Sequence, residues 1–244
     1  MPGLRAIWAL CVTTSNIYDL VFGNSGIFVM TPQTYLFDLD GTLLDSAPDL
    51  AAAANHLREV RHLEPLPFEV LRKTASSGAR GLLGAAFGIK PEDPGYKALA
   101  NEFLDYYQEH MTDHAELFAG ILELINSIEA KGFAWGIVTN KHARFVLPLI
   151  EHLKLTPGAV VCGDTLSVSK PHPEPIIHAL RLLQKPAESA VYVGDDLRDI
   201  QAANSAHVFS IAAQWGYLGS PVGVEEWKAD AIVRNPSQIL EINI

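Results

Sequence analysis

Cysteine is nearly absent from this chain, with only Cys11 and Cys162 among 244 residues. They are far apart and in dissimilar surroundings, which argues against a disulfide framework or a cysteine-based zinc site and suits a reducing, cytoplasmic setting. Basic residues are also scarce. There are 18 Lys and Arg against 28 Asp and Glu, for a formal net charge of −10 and a pI near 5.3. That balance excludes an extended surface for nucleic acid or an anionic membrane, yet leaves room for a local cationic pocket around a small anion. No internal repeat and no low-complexity linker occur. Long apolar runs are missing as well. The apolar residues after Arg5 trace a faint secretory-signal outline, but the stretch is too short to span a bilayer and no convincing small-x-small cleavage site follows. We read Met30 as the start of the working protein and residues 1–29 as an extension outside it, with an added edge element as the alternative.

What is present is enough apolar material for an enzyme core, 48% of the residues, in a pattern that alternates short apolar runs with amphipathic stretches. The most informative run, around Leu36, ends on Asp38-Leu39-Asp40-Gly41-Thr42. Gly41 indicates that the chain is already turning there, so both acids stand at the carboxyl end of a buried strand, where open α/β sheets bind ligands. Two carboxylates at that place suit a nucleophile, a proton-transfer group and a hard divalent cation. As an isolated segment, the same residues also read as an ordinary acidic turn.

From Ser46, read as an N-cap with an early proline and an acid three residues on, the chain is expected to be helical to about residue 114. The expected helices cover 50–61, 68–87 with a break at 76–78, and 96–111. A further helix is expected over 117–131, then strands at 133–138, 159–162, 190–193 and 207–212 with helices between. This β-α-β alternation implies a parallel sheet covered on both faces. The strand near residue 36 belongs to the same sheet. Residues 30–46 and 116–244 then form an α/β catalytic core, and residues 47–115 an all-helical insertion.

Three more polar groups fall at the ends of later strands. Thr139 and Asn140 offer a hydroxyl and backbone N–H groups of the kind that hold a phosphate. Lys170 lies in a proline-stiffened approach to a helix. Asp195, Asp196 and Asp199 cross a strand-to-helix turn, where an acid is also favoured by the helix dipole. In the insertion, Arg80 follows the break at 76–78 and could present a fork to a carboxylate or phosphate, or could be an ordinary helix-surface residue.

The order of these segments, strand-end DLDGT, strand-end Thr139, Lys170 and strand-end GDDLRD, resembles the haloacid dehalogenase superfamily from about residue 35 to 233. The resemblance implies a Rossmann-like core with a helical cap inserted after the first strand. It implies Asp38 as nucleophile and Asp40 as general acid and base. It implies Thr139 and Lys170 as phosphate binders and Mg²⁺ held by Asp38, Asp40 and Asp195, while the residue types add Asn140 and Arg80 as candidate substrate-binding residues. Asp196 stands where relatives often carry serine, which leaves open whether Asp196 or Asp199 also supports the metal. LLDSAPDL, SSGARGLL, VTNK and YVGDDLRDI are similar to the phosphoglycolate phosphatase group, and VTNKHARF with GDDLRDIQAA is also similar to the N-acetylmuramic acid 6-phosphate phosphatases. The implied enzyme is a Mg²⁺-dependent phosphomonoester hydrolase acting on a small phosphorylated metabolite, working as a monomer or homodimer without nucleic acid or membrane. A sugar phosphomutase of the same superfamily would use the same residues and return the phosphoryl group. A receiver-type phosphoacceptor module would lack both the helical cap and the acid two residues after the acceptor.

Overall fold

The structure is a computed structural model and describes residues 31–244, so the reading of residues 1–29 lies outside the described residues. Strand β1 (Thr34–Phe37) is buried along its whole length. Tyr35 and Phe37 enter the core layer on one face of the sheet and Leu36 the layer on the other, as the two-residue period of a strand dictates. Side chains of this size contribute about 1.5–3 kcal/mol each when fully buried.

A strand apolar on both faces belongs inside a parallel sheet, and β1 lies between β4 (Ala134–Val138) and β6 (Ala190–Gly194), parallel to both. The six-stranded sheet continues outward to β5 (Ala159–Val161) on one side, and to β7 (Phe209–Ala213) and β8 (Ala231–Val233) on the other, with all neighbours parallel. Helices α5 (Ile121–Ala130) and α6 (Ala143–His152) bury their apolar stripes on the Phe37 face. Helices α7 (Glu174–Leu183) and α8 (Leu197–Ser205) cover the Leu36 face. From β1 the chain builds β4 and β5 on one side and then crosses to β6 on the other, so a crevice opens at the carboxyl ends of β1, β4 and β6.

Between β1 and β4 stand a short antiparallel ribbon, β2 (Leu44–Asp45) with β3 (Glu116–Leu117), and the helices it brackets. These are α1 (Ala47–Glu59), α2 (Phe68–Arg72), α3 (Gly78–Phe87) and α4 (Tyr96–His110). Leu99, Phe103 and Tyr107, spaced by four, form the buried stripe of α4. It packs against α1 and α3, and all three helices contribute to one buried cluster.

The structure departs from the sequence-based expectation in local detail. The helix expected over 117–131 starts at Ile121 because Glu116 and Leu117 pair with the β2 segment, and Gly120, at φ 86°, turns the chain into the helix. The break expected within 68–87 is present, as a 3-10 turn at Ala75–Ser77 between α2 and α3. Ser46 occupies the N-cap position of α1 without capping it; its hydroxyl donates to Asp40 instead, and the Tyr217 hydroxyl accepts from the backbone N–H groups of Ser46 and Ala47. The edge strand β8, with only three residues, was not anticipated. Among the described residues, no helix is long and apolar enough to cross a membrane.

Candidate active site

Register places the site. Phe37 pairs with Ile137 on one side and Val193 on the other, so Asp38 leaves the sheet beside the ends of β4 and β6, where Thr139 and Asp195 follow. The backbone N–H of Asp38 donates to Val193 at 2.9 Å and that of Thr139 to Val161 at 2.9 Å, which fixes the strand ends. Immediately after, the chain turns at Gly41, whose φ is 84°. A Cβ there would overlap the Asp195 carboxylate, so glycine serves both the turn and the close approach.

Asp38, Asp195 and Asp199 each offer a carboxylate oxygen within 4.8 Å of the others. Lys170 faces them from the segment before α7 and is itself buried. Its Nζ donates to Asp199 Oδ1 at 2.6 Å and to the Tyr192 hydroxyl at 2.8 Å. The same Nζ lies 2.9 Å from Asp38 Oδ1, but off the hydrogen-bond direction, so that contact is an ion pair and this buried oxygen receives no hydrogen bond. Asp195 accepts from the Thr42 hydroxyl at 3.1 Å and from the Tyr217 N–H at 2.7 Å. Burial, then the charges of Asp38 and Asp199, push its carboxyl well above the usual carboxylate range. Asp199 is also raised, by burial, with Lys170 opposing. Burial works against the charge on Lys170, but Asp199 and Asp38 outweigh it and hold the ammonium above its ordinary value.

Three clustered carboxylates with one facing ammonium, an oxygen without a donor and an acid driven toward its neutral form are the surroundings that a hard divalent cation would relieve. The donor set therefore fits a metal, held by Asp38, Asp195 and Asp199.

Asp40 is placed differently from the sequence-based ligand set. The turn at Gly41 carries its carboxylate out of the cluster, to the Ser46 hydroxyl at 2.5 Å and to Lys141, whose Nζ donates at 2.9 and 3.1 Å. Its side chain thus lies outside the carboxylate cluster, in which Asp199 is the third member. Asp196 is turned away as well. It caps α8 and pairs with Arg198 at 2.8 Å, and although burial opposes this, Arg198 lowers its carboxyl.

Thr139 and Lys170 line, with Asp38, a cavity of about 490 Å³. Asn140 lines it too, but its amide is committed to the Lys170 backbone: Nδ2 donates to the Lys170 carbonyl and Oδ1 accepts from the Lys170 N–H, both at 2.9 Å. It therefore positions the lysine. Arg80 is exposed at the insertion side of the cavity. Part of the lining is apolar, with Leu50, Phe103 and Leu104 from the insertion and Phe145 from α6. Lys141, Tyr107 and Arg198 were not anticipated as cavity residues. Lys141 follows Asn140 in VTNK, the one signal that pointed to it. Arg198 reaches across to the insertion, donating to the Ser76 carbonyl at 2.6 Å.

A parallel α/β sheet with an aspartate and a carboxylate cluster at its central switch point has the Rossmann-like architecture, which binds ligands at the carboxyl ends of its strands. More narrowly, residues 35–213 match the haloacid dehalogenase-like hydrolase family, and the chain belongs to it. It is 38% identical over 215 residues to an N-acetylmuramic acid 6-phosphate phosphatase of Pseudomonas putida, covering 87% of this chain and 96% of that protein. It is 40% identical over 213 residues to a phosphoglycolate phosphatase of Xanthomonas campestris pv. campestris, covering 86% and 96%. A crystal structure from Haemophilus somnus, described as a predicted phosphoglycolate phosphatase, superposes with a TM-score of 0.77 at 25% identity, covering 87% of this chain and 98% of that one.

Proposed function

We propose that this protein is a Mg²⁺-dependent phosphomonoester hydrolase that acts through a phosphorylated Asp38, with a phosphoglycolate-type ester of a small metabolite as its substrate class. The observation that carries this reading is the pairing at the end of β1. Asp38 sits in a carboxylate cluster faced by Lys170 at 2.9 Å, while Asp40, two residues on, is held outside that cluster.

An Asp38 oxygen attacks phosphorus, and the bond to the ester oxygen breaks with its electron pair leaving on that oxygen. Asp40, which enters this step protonated, gives that oxygen its proton, so the alcohol departs neutral and Asp40 is left as the carboxylate. Asp40 then takes a proton from water as the water oxygen attacks phosphorus, and the Asp38–phosphorus linkage breaks to release phosphate. Such proton transfer contributes typically about 10²–10⁴-fold. Lys170 and the Thr139 hydroxyl stabilise the phosphoryl oxygens, and Asn140 keeps Lys170 in place. Asp38, Asp195 and Asp199 would hold Mg²⁺, which would supply positive charge against the repulsion between a carboxylate and a phosphate dianion.

A second reading, N-acetylmuramic acid 6-phosphate as the ester, is favoured by the cavity. About 490 Å³ lies within the roughly 300–1,000 Å³ of clefts that take drug-sized ligands, more room than a two-carbon acid needs, and the apolar part of the lining suits a sugar face. Rates of phosphate release from 2-phosphoglycolate, N-acetylmuramic acid 6-phosphate, hexose phosphates and nucleotides, with and without Mg²⁺, decide between the two. Isomer formation that depends on a sugar bisphosphate would indicate a mutase instead.

A further inference from the structure

Lys141 sits where the sheet and the helical insertion meet. Its side chain is 8% exposed, and its Nζ donates to both oxygens of Asp40 and, at 2.8 Å, to the hydroxyl of Tyr107 on α4. An ammonium has three donors, so each is used. Tyr107 is itself buried and packs on the ring of Phe145 of α6, with centroids 5.5 Å apart. All of these residues border the cavity.

A buried ion pair adds little stability on its own, so folding alone does not account for this one. Its geometry does more than neutralise charge. Two contacts from Lys141 and one from Ser46 fix the plane of the Asp40 carboxylate, and the remaining donor is satisfied by a residue of the insertion. Undocking α4 would remove that partner and open Asp40 to water.

We propose that Lys141 is a positioning residue that holds Asp40 in its working orientation only while α4 is docked on the core through Tyr107. The proposal rests on the functional reading above. It ties proton transfer to closure of the cavity, so that Asp40 is set when bulk water is excluded.

The test uses the full chain with Mg²⁺, the best alkyl ester of the panel, and 4-nitrophenyl phosphate, whose phenolate leaves without needing a proton, and it reads release of the alcohol or phenol in the first turnover, before Asp40 is needed to activate water. Lys141→Met is expected to lower the first-turnover rate on the alkyl ester about 30- to 300-fold with half-saturation within about threefold, and to lower the first-turnover rate on the aryl ester less than about fivefold. In an Asp40→Asn background the same replacement should add less than about twofold, because both act on one step. Lys141→Arg should recover part of the loss. Tyr107→Phe keeps the Lys141–Asp40 pair and cuts the link to α4; it should lower the alkyl ester rate about three- to tenfold, again sparing the aryl ester. Equal losses on both esters, a raised half-saturation at an unchanged first-turnover rate, or losses that multiply with Asp40→Asn would overturn the proposal. If Lys141→Met does not fold, Tyr107→Phe carries the test, and a normal alkyl ester rate overturns it. A wild-type chain that releases no phosphate from any ester overturns the functional reading and this proposal together. Asp38-dependent release by the wild type confines a failure to Lys141.

Discussion

Lys170 and Lys141 are both buried cations beside the same cavity, and they are held by different parts of the molecule. Lys170 is surrounded by the core: Asp38, Tyr192 and Asp199 stand on β1, β6 and α8 or directly beside them. Lys141 is shared between the core acid Asp40 and the insertion residue Tyr107. Both ammoniums are held above their ordinary pKa, burial opposing and the neighbouring carboxylate outweighing it. The difference lies in what can move. On the proposed reading, a phosphate site built on one sheet would be preorganised whatever the insertion does, whereas the proton-transfer site would be assembled by two units.

The largest effect should come from the fixed site. Asp38→Asn removes the nucleophile and is expected to bring Mg²⁺-dependent phosphate release down to background in a steady-state assay, while the far-ultraviolet circular dichroism is unchanged. Near-normal rates would remove the covalent mechanism.

Lys170→Met sharpens the contrast between the lysines. It leaves Asp38, Asp195 and Asp199 clustered without their cation, and breaking a buried pair in this way costs about 3–5 kcal/mol. For a chain of this size that is a fall of roughly 10 °C in melting temperature, measurable by calorimetry in EDTA. Added Mg²⁺ should restore more stability to the variant than to the wild type. A variant as stable as the wild type would show that the cluster is not an electrostatic strain.

A smaller effect is expected on the insertion side. Arg80→Ala should lower kcat/KM about 10- to 100-fold for an ester whose alcohol carries a carboxylate, the scale of a charge-assisted hydrogen bond. Acetyl phosphate, too small to reach Arg80, should be hydrolysed almost unchanged. Equal losses on both would assign Arg80 to phosphate binding or to folding.

Much of the fixed site was legible in the sequence, and little of the shared one. Asp38, Thr139 and Asp195 each end an apolar strand, so local pattern alone places them at one sheet edge. The make-up of the carboxylate cluster was legible only in part, with Asp40 expected in it and Asp199 left open. It depends on where the Gly41 turn aims one side chain and on how the first turn of α8 folds back, and both are tertiary facts. The meeting of Tyr107 with Lys141, 34 residues apart, needs α4 docked on the core, and no periodicity encodes docking. Ribbon strands of two residues carry no alternation to read, so the β2–β3 pair at the root of the insertion was hidden and the helix after it was started too early.

The smallest effect is a slope. Asp195 and Asp199 have their carboxyl pKa raised in the folded protein, by burial first and by neighbouring carboxylates. A carboxyl raised on folding makes the native state bind more protons than the unfolded state at pH values above the unfolded pKa, near 4. Stability of the metal-free protein should therefore fall as pH rises from about 5 to 8, by at most about 1.4 kcal/mol per pH unit for each group that titrates in that range. Asp196 and Asp164 are shifted the other way and add stability only as pH rises through the acid range below this window. Mg²⁺ takes the charged carboxylates as ligands, so its binding strengthens as pH rises and cancels the loss. The difference in melting temperature between samples in Mg²⁺ and in EDTA should widen steadily across pH 5–8. In Asp199→Asn, which removes one of the two raised carboxyls, the widening should be shallower. A constant difference across that range would mean that the carboxylates are not the groups whose charge the metal neutralises.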